Sequence, residues 1–334
     1  GAAAARMFGG LLDLNHILML VCLVILIVTV AMPMLMIVYN TFFYGFAFDW
    51  EMFSRVVLDP ANVDAMWNTI VIAFWVTLVG TLVGVFYAWL IGRTNIPLKG
   101  LMKTLFVIPY MFPPFIGAVA WGLLLAPRSG YINKMWMAMA GTRTPLLNIN
   151  SIWGIVFVEV CYYFPFVFLQ VVSALERMDP TLEESARISG ANQFYVIRKI
   201  TLPLVVPAIA AGAMLILISS LSHFGVPAML GFSRGIFTLP TKIFQLINRA
   251  AGSFDGIREG AALSVLLVVV VVAALYVQRL VLKTGRYDII KGKSMRPMLI
   301  KLRGAKIPLL GVSLVSLFII VALPLFMIFI VGFL

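Results

Sequence analysis

Seven apolar runs, each about twenty residues or longer, decide what this chain can fold into. They cover roughly 17–39, 67–92, 104–126, 151–174, 204–226, 261–282 and 307–334. A helix needs about 20 apolar residues to cross the hydrocarbon core of a bilayer. Lipid offers no partner to backbone N–H and C=O groups, so runs of this kind must be helical. The chain has 334 residues, 62% of them hydrophobic and 11% charged, and its mean hydropathy is +1.06. A soluble domain carries about 25% charged residues, so this chain has too little polar surface to cover a water-soluble globule. The expected fold class is an all-α polytopic membrane protein. The net charge of +12 does not point to nucleic acid, because membrane proteins concentrate Lys and Arg in their cytoplasmic loops. Cys22 and Cys161 lie inside apolar runs without CxxC or metal spacing and read as small hydrophobes.

The loops set the orientation. Segment 40–66 has Arg55 alone against Asp49, Glu51, Asp59 and Asp64, whereas 93–103 has Arg93, Lys99 and Lys103 and no acid. Segment 279–306 has nine basic residues against Asp288. Placing the N-terminus in the cytoplasm puts 17 of the 25 Lys and Arg residues inside, and that orientation is expected. Segment 127–150 then faces outward, with Arg128, Lys134 and Arg143. Its Trp136, between Gly130 and Gly141, predicts a short interfacial helix.

The chain also repeats itself. Val30-Ala31-Met32-Pro33-Met34-Leu35-Met36-Ile37 matches Val321-Ala322-Leu323-Pro324-Leu325-Phe326-Met327-Ile328 at five of eight positions, offset by 291 residues. A proline in register makes this more than shared apolar letters, and a second copy of the topology is expected to begin near residue 300. The expected organisation is a cytoplasmic N-terminus (1–16, of which Gly1-Ala2-Ala3-Ala4-Ala5 reads as non-native), a six-span unit (17–282), a basic cytoplasmic linker (283–306), and the first span of a second, truncated unit (307–334).

One charged segment, 175–203, hangs between the fourth and fifth runs. It balances Glu176, Asp179, Glu183 and Glu184 against Arg177, Arg187, Arg198 and Lys199. Asp179-Pro180 is a helix start, and Thr181 with Glu184 also fits a capping box. A short helix is expected from about 180 to Ser189, a turn at Gly190, and a second short helix through Phe194 to Lys199. Pro203 would then mark the join to the fifth span. Two short helices at an angle form an elbow. Leu182, Ala186, Phe194, Tyr195 and Ile197 would be its apolar face and Glu184 its negative charge.

Glu184-Ser185-Ala186, three residues, Gly190, nine residues, Ile200, one residue, Leu202-Pro203 resembles the EAA motif of binding-protein-dependent ABC importer permeases. Every spacing matches, and the one departure is Ser185 where the motif has Ala. The resemblance covers about 60–285 and implies the MetI-like transmembrane domain of a type I importer. It implies that roughly 181–198 docks into a cytoplasmic homodimeric ATPase. The implied coupling residues are Glu183, Glu184, Ser185, Ala186, Gly190, Ile200, Leu202 and Pro203. It further implies a periplasmic substrate-binding protein, a second permease half, and the bacterial inner membrane as the site of action. The stretch Ser219–Gly231, followed by Phe237–Ile243, resembles the ferric-iron branch, which often fuses two permease units in one chain. Relatives for phosphonate, thiamine, polyamines or sulfate share the same core.

Glu159 is the one ionisable residue deep in a run, about 12 Å from the outer end of its span by helix rise. It either lines a translocation path and attracts a cation, or it is a hydrogen-bonded carboxyl tying helices together, with Tyr162 or Tyr163 as partner. The second reading is preferred. His223, near the outer end of the fifth span, is either a polar contact at the mouth of the path or a hydrogen-bonded support for the Gly225–Pro227 break, with the latter preferred. The sequence has no metal-cage spacing and no GxxxxGK[ST] loop. No cofactor is expected in this chain, and ATP with Mg would be bound by the partner ATPase. The rival readings are an ion-driven secondary transporter using Glu159 and a non-transporting membrane scaffold.

Overall fold

A computed structural model describes residues 14–249, 254–282 and 299–333. Most of the basic linker and of the N-terminal segment expected from the sequence lie outside these residues. Among the described residues, six helices are long and apolar enough to cross a membrane: His16–Phe42, Pro60–Arg93, Ile152–Arg177, Gln193–Leu221, Asp255–Leu280 and Arg303–Ile330. The third run is not a straight span. It forms Lys99–Met111 and Pro114–Leu125, bent by 95°. The cause is local: Phe112 precedes Pro113 and is held extended at φ −100°, ψ 141°. A residue before proline is driven out of the helical region, and proline itself brings no N–H.

In chain order the first elements are α1 (Leu14–Leu26) and α2 (Met32–Phe42), joined by a π-helical turn at Ile27–Ala31. The β1 (Phe43–Tyr44) and β2 (Ala47–Phe48) hairpin, α3 (Trp50–Leu58) and α4 (Pro60–Arg93) follow. The hairpin pairs Phe43 with Phe48 and Tyr44 with Ala47, and it is the described exception to an all-helical chain. Next come α5 (Lys99–Leu105), α6 (Ile108–Met111), α7 (Pro114–Leu125), α8 (Tyr131–Ala140) and α9 (Ile152–Arg177). The short α8 lies where the sequence places an interfacial helix, with Gly130 before it and Gly141 closing it at φ +62°.

Contacts divide the chain into two compact units. In the unit formed by 1–63 with 242–269, the hairpin region is held by Arg258. Its guanidinium reaches Asp49 at 2.9 Å and the Asn40 carbonyl at 3.2 Å, and lies 5.1 Å over the Tyr44 ring. Asp49 also caps α3 by accepting from the Met52 N–H at 3.1 Å. That backbone bond first, and Arg258 second, hold its carboxyl below the usual value.

The unit formed by 64–241 with 270–334 is built around α9, which is buried along most of its length. It packs against α12 (Leu202–Leu221). Small residues allow close approach to α9 from two helices: a Cβ at Gly84 on α4 would lie 2.8 Å from both the Phe164 carbonyl and Val167 Cβ, and one at Gly212 on α12 would lie 2.5 Å from Val167 Cα. Close backbone contact at glycines is how helices associate where lipid is as apolar as the side chains. The span Arg303–Ile330 joins this core through buried Leu317 and Met327 and a 2.5 Å bond from the Tyr87 hydroxyl to Ser316.

Three π-helical turns share one cause. Ile27–Ala31, Ile197–Thr201 and Phe318–Ala322 each end two residues before a proline, at Pro33, Pro203 and Pro324. In each, the residue before the proline donates to the carbonyl five back: Met32 to Ile27, Leu202 to Ile197, Leu323 to Phe318. Widening the turn accommodates a ring that cannot donate and would clash with the carbonyl four back. The first and third turns are 291 residues apart, at the two copies of the sequence repeat, but the same turn before Pro203 shows that it follows the proline rather than the repeat.

Candidate functional site

The segment after α9 forms a bent pair of helices. α10 (Thr181–Ile188) starts where Asp179 Oδ1 accepts from the Thr181 N–H at 2.9 Å, and that bond lowers the Asp179 carboxyl. The N-cap position itself is Pro180, whose carbonyl accepts the first helical bond from the Glu184 N–H at 3.0 Å, so Asp179 acts one residue earlier than the expected cap and Thr181 forms no capping box. Glu183 and Glu184 sit in the first turn and Arg187 in the last, the order the helix dipole favours. The chain turns at Gly190, φ +88°, a conformation that costs glycine nothing. The Ala191 N–H returns to the Ala186 carbonyl at 3.0 Å. Asn192 caps α11 (Gln193–Val196) through the Tyr195 N–H at 2.8 Å, and Arg187 donates across the bend to Gln193 at 2.6 Å. The angle is therefore set by local hydrogen bonds.

The second arm differs from the sequence expectation. It is not a separate short helix through Phe194 to Lys199 joined to the fifth span at Pro203. Gln193–Leu221 is one helix, and α11 runs through the π-turn at Ile197–Thr201 into α12. Pro203 lies inside it, because the widened turn absorbs the proline that would otherwise end it. Any displacement of the elbow is thus continuous with the fifth span.

The faces also separate. Glu184 and Ser185 are exposed, as are Ile188 at 87%, Phe194 at 69% and Tyr195 at 53%. Leu182, Ala186, Ile197, Ile200 and Pro203 are partly buried, and Leu202 is exposed. Ile188 belongs to the outward apolar cap, which sequence reasoning missed. Glu183 does not belong with the outward residues, and this corrects its grouping with Glu184. It is 5% exposed, and its Oε1 lies 3.2 Å from Arg93 Nη2 and accepts from the Thr201 hydroxyl at 2.5 Å. Successive helical residues point about 100° apart, so adjacent glutamates cannot share one face. Arg93, 1% exposed, entered the sequence reading only as a loop charge. The available signal was its position directly after an apolar run.

Within the helix bundle, Glu159 is fully buried and accepts from the Ser220 hydroxyl at 2.5 Å. Its partner is Ser220 on α12, which corrects the expectation of Tyr162 or Tyr163. Tyr163 instead meets His223 Nδ1 at 2.8 Å, with the two rings edge-on. His223 follows the end of α12 and precedes α13 (Gly225–Gly231). Glu159 and Tyr163 are one helical turn apart on α9, so the two pairs fix α9 to the end of the fifth span. Among the described residues, Glu159 Oε1 and His223 Nε2 have no hydrogen-bond partner, and no group of three or more His, Cys, Asp and Glu could hold a metal.

Residues 80–282 match the family described as binding-protein-dependent transport system inner membrane component. The putative ferric transport system permease protein FbpB 1 of Haemophilus influenzae is 26% identical over 280 residues, covering 83% of this chain and 43% of that protein. The spermidine/putrescine transport system permease protein PotB of Haemophilus influenzae is 28% identical over 189 residues, covering 57% of this chain and 65% of that protein. This chain thus spans less than half the length of the first relative and just under two thirds of the second. A bacterial alginate ABC transporter, solved with an alginate pentasaccharide-bound periplasmic protein, matches with a TM-score of 0.67 at 18% identity, covering 82% of this chain and 96% of that one. With the family matched over more than half of its length and the elbow in place, this chain belongs to the inner membrane components of binding-protein-dependent transport systems.

Proposed function

We propose that this chain is the membrane-spanning component of an ATP-driven importer in a bacterial inner membrane, with its N-terminus in the cytoplasm. It receives ferric iron from a periplasmic binding protein and takes its drive from a separate ATPase pair that binds the elbow. The observation that carries this reading is the exposed cap of Glu184, Ile188, Phe194 and Tyr195 on a bend with fixed geometry. An apolar patch beside a charge, held by its own hydrogen bonds, suits a protein groove better than water. Ser185, Ala186, Gly190, Ile200, Leu202 and Pro203 shape the bend and its continuation rather than the contact. A second permease half supplies the other elbow. ATP and Mg belong to the ATPase, and this chain performs no chemistry of its own.

Alternating access requires that cargo, binding protein and ATP each favour one of two states. In this reading, ATP draws the elbows together, and α12, continuous with the elbow, carries the movement to Ser220 and His223. Glu159 acts first as a helix tie and His223 supports the break before α13. A second cargo reading, an organic polyamine cation, is favoured by the similarity to a spermidine/putrescine permease.

The test uses the full chain reconstituted with its ATPase and binding protein. Glu184→Ala and Gly190→Pro should leave insertion intact and abolish cargo-stimulated ATP hydrolysis. Normal transport by both would end the coupling assignment. Competition between ferric iron and spermidine for the binding protein separates the two cargo readings.

A further inference from the structure

The buried group beneath the elbow joins four segments. Arg93 ends α4, Met178 follows α9, Glu183 lies on α10 and Thr201 ends the π-turn that leads into α12. The Arg93 guanidinium reaches Glu183 at 3.2 Å and Met178 Sδ at 3.3 Å, and Thr201 donates to the same Glu183 oxygen at 2.5 Å. Arg93 and Thr201 are essentially sealed from solvent, and Glu183 nearly so. Two of the guanidinium nitrogens, Nε and Nη1, have no hydrogen-bond partner among the described residues. The Arg93 backbone is fixed as well: its carbonyl accepts from the Ile300 N–H at 2.8 Å, and Asn95 Oδ1 accepts from the Leu302 N–H at 2.9 Å.

We infer that Arg93 is a positioning residue that locks the coupling elbow to α4 and the fifth span through Glu183, so that the elbow moves only together with those helices. The physical reason is charge burial. Glu183 is the anion that compensates a cation with few other partners. An elbow that swung away from α4 would strand both charges in a dry site. Breaking a buried pair by removing one member is strongly destabilising, whereas removing both charges is often close to neutral. The exposed pair of Lys103 and Glu176 at 2.8 Å lies near the same end of the bundle and gives a contrast, since solvated pairs contribute little.

The transmission of ATPase movement rests on the proposed docking at Glu184, but the locking of the elbow does not. The first measurement is amide hydrogen exchange over 181–190 in the purified full chain, which needs neither ATPase nor cargo. Arg93→Gln and Glu183→Gln singly should raise exchange there by about tenfold or more, and the double variant should return it to within about twofold of the parent. Lys103→Gln should leave it unchanged. Additive loosening in the double variant, or no change in the singles, overturns the lock. The second measurement is ATP hydrolysis in the assembled complex. Each single variant should hydrolyse ATP without stimulation by the loaded binding protein, and Arg93→Lys should recover part of that stimulation. Loosened exchange with normal stimulation would overturn the transmission role while leaving the lock standing. If Glu184→Ala and Gly190→Pro fail to uncouple the same complex, the docking reading fails and the exchange result is untouched.

Discussion

At the scale of single residues, two adjacent glutamates divide the work. Glu184 meets solvent and Glu183 meets Arg93. Sequence places both on one short helix but not on one face, because the motif specifies spacing and not which side the bundle occupies. Glu159 is similar. Its presence in an apolar run marks it as special, while its partner, Ser220, is 61 residues away. Ser220→Ala should cost about 1–3 kcal/mol by leaving the carboxyl without its donor, measured as a drop in unfolding midpoint in detergent. Glu159→Gln can still accept from Ser220 and should reduce transport only in part. Complete loss in a well-assembled complex would give Glu159 a direct role in the path. Asp49 supplies a pH prediction. Its carboxyl is lowered from 3.8 by the Met52 N–H and Arg258. A lowered folded value means its contribution is full above that figure and is lost as pH falls through the lowered one. Unfolding midpoints should therefore hold from neutral pH down to about pH 4 and then drop, with the drop reduced in Asp49→Asn.

At the scale of elements, prolines and glycines do most of the shaping. The sequence shows every proline, and its rule that proline ends a helix fails at Pro203 because a π-turn takes up the clash. The same rule succeeds at Phe112-Pro113-Pro114, where no such turn forms and the run bends. Pro165 in α9 and Pro207 in α12 lie inside their helices with no π-turn before them, so a proline by itself does not decide where a helix stops. Gly190 was legible as a bend, since a residue at φ +88° is strained unless it is glycine. Gly212 was not legible, since its need for a missing Cβ comes from Val167 on another helix. Gly212→Val should therefore overpack the interface between α9 and α12, costing about 3 kcal/mol or more. Gly190→Ala should cost about 1 kcal/mol through backbone strain alone. Comparing the two unfolding midpoints checks the order.

At the scale of the whole molecule, the apolar runs and the EAA spacing announced a polytopic permease, and the family match over 80–282 agrees. The proposed orientation has a direct test. With native Cys22 and Cys161 replaced by Ser, Ser189→Cys should react with an impermeant maleimide in inside-out vesicles and not in right-side-out ones. The reverse pattern would turn the topology over.

Hydropathy and spacing determined by themselves that the chain belongs in a membrane and that it bends at Gly190. Those are local properties, written in residues close together along the chain. The tertiary structure alone decided that Glu183 turns inward to Arg93 and that Ser220 satisfies Glu159. Each depends on burial, and a polar group removed from water must take whatever partner the packed helices bring within reach.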